Sequence, residues 1–400
     1  MKRSFVILGG GVTGLSTAYH LARMGAGEVT VLDKGPVGDG SSSRAAGIIT
    51  GLLWSETGVL ARKLSLRRFR ELSEELDGYK FQAVGALNLF DDDSWGEREK
   101  LLPLYDRCGA PYEIMSASDM RARWPELRPR EGAIGLFDPL GGYSEPDDYV
   151  PALARKCREL GVTIREGEAA EELALDGAGA VVGVRTLRGL IPADAVVCTL
   201  YSWTNLLLAK AGIRLPVKTV VHQRYLTRPL EVPASIPAVN ADPYGGYVRP
   251  AANGRLLLGI ETGAREEYRV TRADFHLREL TAPASLKREL RTSFEPLVPA
   301  LAQADWDDAA DRIGLLTFSL DGEPIVGPIA GIPGLFVGVA FHSGGFAYNP
   351  ATGLVLAELA AGEPTSVDIA AFSPARFGAA ETDAYLALTV RQQDVVRRRH

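Results

Sequence analysis

Two hydrophobic rhythms alternate along this chain. Phe5-Val6-Ile7-Leu8 is a short unbroken apolar run, as expected of a parallel strand buried on both faces. Leu15, Ala18, Leu21 and Ala22 then recur at helical spacing until Gly25, and Val29-Thr30-Val31-Leu32 predicts a second buried strand. Helical spacing returns in Leu66, Phe69, Leu72 and Leu76. It returns again in Tyr149, Val150, Leu153, Cys157 and Leu160, where Gly161 ends the helix ahead of a strand at Val162-Thr163-Ile164. Further strands are expected at 181–184 and 195–200, followed by a helix over 203–211 that stops at Gly212. Residues 221–227, 246–249 and 255–260 read as strands, and 273–291 as partly helical. Toward the end, 334–340 reads as a buried strand, 341–346 as a loop and 350–359 as a helix. Strands and helices in alternation predict an α/β protein.

Composition narrows the function classes. The 400 residues are 46% hydrophobic and 24% charged, an ordinary globular balance with room for roughly two or three domains. Lys and Arg total 44 against 50 Asp and Glu, so the net charge is −6 and the basic footprint of a nucleic-acid protein is missing. No apolar run approaches the roughly eighteen residues that span a bilayer, so no membrane association is expected. The opening residues imitate a signal peptide only until the glycines after Leu8. Cys108, Cys157 and Cys198 are too scattered for a disulfide framework or a zinc site, so no metal is expected and a reducing cytoplasm is the simplest address. Cys157, on an apolar helix face, and Cys198, in a buried strand, read as inert core. Glycine is in excess, 43 of 400, which points to tight turns and close backbone approaches.

The first apolar strand runs directly into Gly9-Gly10-Gly11-Val12-Thr13-Gly14, a G-x-G-x-x-G pattern that opens the first helix. Asp33 ends the second strand, 19 residues after Gly14. Strand, glycines, helix, strand and acid in that order point to a dinucleotide site. Gly9 permits the turn, Gly11 lets a pyrophosphate approach the backbone, and Gly14 lets helix and strand pack closely. The helix N-terminus offers unpaired amides to phosphate, and Asp33 accepts hydrogen bonds from ribose hydroxyls. A small, polar, glycine-containing stretch at 40–49 suits a cofactor that extends further along the protein. The 341–346 loop before a helix suits the anionic edge of a reduced flavin. NAD remains the alternative.

On these residues the chain resembles the FAD-dependent amine and amino-acid oxidoreductases of the D-amino acid oxidase superfamily, especially the sarcosine oxidase, glycine oxidase and dimethylglycine dehydrogenase branch. The resemblance rests on the glycine motif with Asp33, on Ser42-Ser43-Arg44-Ala45-Ala46-Gly47, and on Leu320-Asp321-Gly322-Glu323-Pro324-Ile325-Val326-Gly327. It also rests on the 341–346 loop with Pro350-Ala351-Thr352-Gly353. It implies a Rossmann-like FAD-binding domain of the glutathione-reductase type beside an α+β substrate domain built on a mixed or antiparallel sheet. Each domain would be discontinuous: 1–80, 146–214 and 313–385 bind FAD, 81–145 and 215–312 bind substrate, and 386–400 is a tail. The basic tail end, Arg391, Arg397, Arg398, Arg399 and His400, reads as solvated, the alternative being an anionic partner.

The resemblance also implies a set of cofactor contacts. Gly9, Gly11, Val12, Thr13, Gly14, Asp33 and Lys34 come from the first motif, and Ser42, Ser43, Arg44, Ala45 and Gly47 from the polar stretch. Ala170, Thr199, Trp203 and Gly314 follow, and His342, Ser343, Gly344, Gly345 and Phe346 close the site. Where relatives attach FAD through a cysteine or a histidine, this chain carries Gly314 and Arg44, so the FAD is expected to be noncovalent. The sarcosine-oxidase lysine that meets the substrate corresponds to Ala347 and its arginine partner falls near Gly47, which argues against sarcosine itself. Tyr201-Ser202 replaces a small-Gly pair ahead of Trp203 and would narrow the site. The lysine that assists oxygen is missing from 259–266, where Arg265 is the substitute, so either O2 or another electron acceptor fits.

Flavin amine oxidation is mostly positioning, and a buried substrate carboxylate needs a fixed cation. Arg249 is the first candidate for that cation, with Tyr247 on the same strand face and His342 in the loop over the flavin completing the catalytic set. Arg44 is second, and His222 reads as ordinary packing. The expected activity is oxidation of the C–N bond of a small secondary amine or amino acid to an imine that water hydrolyses. The alternatives are an FAD 2-hydroxy-acid or polyol-phosphate dehydrogenase, and a flavin-binding subunit of a heteromeric enzyme. An oligomer is compatible with the sequence.

Overall fold

A computed structural model describes residues 2–231, 235–260 and 267–389. The basic tail end and the 261–266 stretch with Arg265 lie outside these residues. Six described strands form a first sheet in the order Ile325–Pro328, Leu335–Val339, Ala195–Cys198, Ser4–Leu8, Glu28–Asp33, Thr163–Glu166. Neighbours run parallel except the first pair.

The unbroken apolar runs are explained by cover on both sides. Phe5 and Ile7 join the core under the helices Val12–Arg23, Glu56–Glu75, Pro146–Glu159 and Gly345–Ala361. Val6 and Leu8 point the other way, into a second core shared with the meander Glu172–Leu175, Val181–Thr186, Gly189–Pro192. Cys157 and Cys198 lie within these cores, and burial pushes their thiols up to about 12 and about 11.

The last of those helices begins at Gly345, so Gly345 and Phe346, expected in the loop, form its first turn. Proline at 350 hid this start. It lacks the N–H that would bond the Phe346 carbonyl, and the Asn349 side-chain amide bonds that carbonyl instead at 2.5 Å.

Eight further strands build a second, mostly antiparallel sheet in the order Arg312–Ser319, Val217–Leu226, Arg255–Ile260, Gly246–Ala251, Ala238–Ala241, Ala86–Phe90, Ile134–Asp138, Glu113–Ser116. The boundary expected at 313 therefore falls inside a strand of this sheet, where residues 312–319 pair antiparallel with 217–224. No helix among the described residues is long and apolar enough to cross a membrane.

Candidate active site

The turn between the first strand and first helix admits no side chains. Gly9 holds φ +101°, and a Cβ on Gly14 would lie 2.0 Å from the Gly9 carbonyl oxygen. Asp33 braces this turn, its two carboxylate oxygens accepting from the Gly10 and Gly35 amides at 2.8 and 2.9 Å. Burial pushes the Asp33 pKa up, and those two amides work in the opposite direction. Ser42 Oγ accepts from the Val12 amide at 3.0 Å, tying the polar stretch to the helix start.

A cavity of about 230 Å³ opens along this turn. Of the expected cofactor contacts, Gly9, Gly11, Val12, Thr13, Asp33, Lys34, Ser42, Arg44 and Ala45 line it. Ala170, Thr199, Trp203 and Gly314 line it as well, as do His342, Ser343, Gly345 and Phe346. Gly14, Ser43 and Gly344 do not reach its wall. Gly14 is packed beneath the turn, Ser43 turns its hydroxyl to the Gly40 carbonyl at 3.4 Å, and Gly344 sits against the Arg62 guanidinium. Gly47 borders a second, smaller cavity of about 50 Å³ instead. The two cavities share Ala46, His222, Tyr247, Ser343 and Phe346 on their walls.

Lys34 ties the second-sheet segment to this wall. Its ammonium donates to the Ala273 and Phe275 carbonyls at 2.7 and 2.5 Å and lies 3.9 Å from the Trp203 ring centroid. Burial lowers its pKa to about 8. Arg44 folds back on its own loop, donating to the Gly40 carbonyl at 2.8 Å and to the Asp39 carbonyl. Its chain covers Gly314, where a Cβ would come 3.2 Å from Arg44 Cδ.

Arg249 is not the free cation that the sequence suggested. It is fully buried and pairs with Glu145 through two hydrogen bonds of 2.9 Å, while its Nε donates to the Ala46 carbonyl at 2.6 Å. The Tyr143 ring lies 4.3 Å beneath the guanidinium. Burial opposes charge on Glu145, yet the Arg249 hydrogen bonds and charge hold its carboxyl below the usual glutamate range. Sequence gave no warning of this, because the partner lies 104 residues away. Tyr247 does reach the cavities, and its hydroxyl stands 2.9 Å from His222 Nε2. His222 therefore belongs to the cavity wall rather than to ordinary packing.

Three residues beside the cavity hold left-handed backbone without being glycine: Tyr201 at φ 52°, Ala340 at 59° and His342 at 56°. Tyr201 and His342 are locked together through Thr317. The Tyr201 hydroxyl donates to the His342 carbonyl at 3.3 Å and accepts from the Thr317 amide at 3.2 Å, and the His342 amide donates to the Thr317 carbonyl at 2.9 Å. Burial lowers the His342 pKa from 6.5 to about 4, with Arg376 adding to the shift and Asp321 opposing it. Between those values the unfolded chain binds the extra proton. Stability from neutral His342 is therefore complete above pH 6.5 and is lost as pH falls toward 4, on the order of 3 kcal/mol in all. His342→Asn, which tolerates positive φ, is expected to flatten that part of the stability profile in denaturant titrations at stepped pH. An unchanged slope would remove the assignment.

Arg62 is the cavity residue that pattern reading missed. It lines the smaller cavity, is 1% exposed, and projects from the helix Glu56–Glu75. Its signal was present, since Val59, Arg62, Leu66 and Phe69 share one apolar helix stripe.

The family described as FAD dependent oxidoreductase matches residues 4–359. The chain belongs to this family. It is an FAD-dependent oxidoreductase, and its relatives are named for amines and amino acids. It is 30% identical over 388 residues to the 4-methylaminobutanoate oxidase (formaldehyde-forming) of Paenarthrobacter nicotinovorans, covering 92% of this chain but 45% of that protein. Glycine oxidase of Geobacillus kaustophilus is 27% identical, with 92% and 96% covered. Among solved structures, L-proline dehydrogenase from P. horikoshii superposes with TM-score 0.85 at 27% identity, covering 94% of this chain and 98% of that one.

Proposed function

We propose that this FAD-dependent enzyme oxidises the C–N bond of a small secondary amine or amino acid. Hydride leaves the carbon beside nitrogen, an iminium forms, and water hydrolyses it to a carbonyl compound and an amine. One observation carries the reading: the cavity along the Gly9–Gly14 turn shares the wall residues Phe346, Ser343, His222 and Tyr247 with a small chamber beside it. A cofactor groove beside a small substrate-sized chamber suits hydride transfer, because the reacting carbon must be held still against the cofactor. The names of the relatives support the same chemistry.

The residues present fit FAD. The glycine turn leaves a cradle that side chains would fill, a Cβ on Gly11 coming 3.0 Å from Ser42 Oγ. Trp203 Nε1, on the cavity wall, is buried with no hydrogen-bond partner, a donor that a bound ligand would satisfy. Bound FAD supplies the hydride acceptor. The amides at the first-helix start, with Gly9, Gly11, Val12 and Thr13, would hold its phosphates, and Asp33 would hold the ribose. The helix Gly345–Ala361 has no side-chain cap, so its first amides are free to stabilise negative charge at the ring edge. The attachment is noncovalent: Cys108, Cys157 and Cys198 lie off the cavity wall, and Arg44 covers Gly314.

An ammonium cannot release hydride until its nitrogen has lost a proton. The His222–Tyr247 pair, on the wall of both cavities, accepts that proton. The first sheet and its helices form the FAD-binding domain, and the second sheet, including Arg312–Ser319, forms the substrate domain.

Anaerobic mixing of the holoenzyme with a panel of secondary amines, amino acids and 2-hydroxy acids tests this. Small amines or amino acids should bleach the flavin, and admitting air then reports whether O2 is the acceptor. Bleaching by hydroxy acids alone would refute C–N oxidation.

A further inference from the structure

With Arg249 neutralised by Glu145 and Arg44 turned to its own loop, the charge that meets the substrate must come from elsewhere. Arg62 stands at the wall of the small chamber with Thr50, His222, Asn240, Asp242 and Tyr247. It is buried inside the protein, yet among the described residues no carboxylate forms an ion pair with it: its guanidinium donates to the Thr50 carbonyl at 3.3 Å and bonds the Tyr348 hydroxyl, and Nε has no partner. The Tyr348 ring supports it from 4.2 Å, and Gly344 leaves it space, since a Cβ there would come 2.3 Å from Nη2. A guanidinium desolvated this completely costs several kcal/mol unless its charge is balanced, so one on a cavity wall that has only neutral partners is poised for an anion.

We propose that Arg62 is the specificity-determining residue of this enzyme and binds the carboxylate of the substrate in the small chamber. This rests on the C–N oxidation reading for the identity of the ligand as a substrate. A planar guanidinium matches a carboxylate through paired N–H donors, and Tyr348 stacking keeps the plane fixed. The chamber also limits size. About 50 Å³ is room for roughly four water-sized groups, enough for a carboxylate and one or two carbons. The substrate is therefore a short amino acid whose acid group lies past the His222–Tyr247 pair, with its nitrogen beside that pair.

Titration of the flavin-loaded protein with 2-furoate and with its neutral amide, followed by calorimetry, tests this without turnover. The acid should bind and the amide should bind far more weakly. Arg62→Gln should lose about a hundredfold in furoate affinity, and Arg62→Lys, which keeps a point charge, should lose less. In turnover, Arg62→Gln should raise KM for amino acids far more than for amines without a carboxylate. Undiminished furoate binding by Arg62→Gln would overturn the proposal. If that variant fails to accumulate with flavin, the wild-type comparison decides, and equal binding of acid and amide overturns it. A chain that binds furoate through Arg62 but oxidises no amine would instead sink the proposed reaction alone.

Discussion

Replacing Arg249 with methionine should destabilise the protein by about 3–5 kcal/mol, because it strands the Glu145 carboxylate in a buried setting. Glu145 is 18% exposed and loses two hydrogen bonds of 2.9 Å, keeping one amide donor, Ala252, at 3.1 Å. The double variant Arg249→Met with Glu145→Gln should recover a large part of the loss, since a neutral amide tolerates burial better than an unpaired charge. Denaturant unfolding of the four proteins in the cycle measures it. The structural role also predicts what turnover will show: at temperatures where the single variant stays folded, its KM for an anionic substrate should move little. A steep KM rise with unchanged stability would restore Arg249 as the substrate's cation.

Gly14→Val should abolish flavin retention. Its Cβ would meet the Gly9 carbonyl oxygen at 2.0 Å and Thr199 Oγ1 at 2.8 Å, and the first of these is backbone that cannot rotate away. The helix must then lift from the strand, which opens the phosphate cradle and disturbs the core around Leu15 and Ala18. Overpacking of well-packed sites costs about 1–3 kcal/mol, and a backbone clash at the turn should exceed that. Flavin absorbance per protein after gel filtration reads the effect. Gly14→Ala carries the same Cβ and should also lose flavin, valine adding only further crowding. A fully yellow Gly14→Val protein would mean that the turn opens without cost.

Both variants depend on partners whose visibility in the sequence differs. Gly14 could be read locally, because the tight turn and the helix beginning at Val12 are set by neighbours within a few residues. Arg249 could be recognised as a buried arginine on a strand, but not as one already paired. Arg62 stood in plain view on an apolar helix stripe and was passed over, since a lone arginine there equally suits a surface stripe edge. His222 was read as packing because nothing near it in the chain announces Tyr247, 25 residues on.

Local patterning was enough for the α/β class, the glycine turn with Asp33, the buried strands and the cofactor family. Each of these is written in short-range spacing: apolar runs covered on both faces, glycines where no Cβ fits, an acid at the end of the second strand. Folding alone settled which charges are spent and which are free. Strands 312–319 and 217–224 join across about ninety residues, Glu145 closes on Arg249, and Arg62 reaches the chamber beside Tyr247. A side chain's available charge depends on its three-dimensional neighbours and on its distance from water, and neither quantity is a property of sequence order.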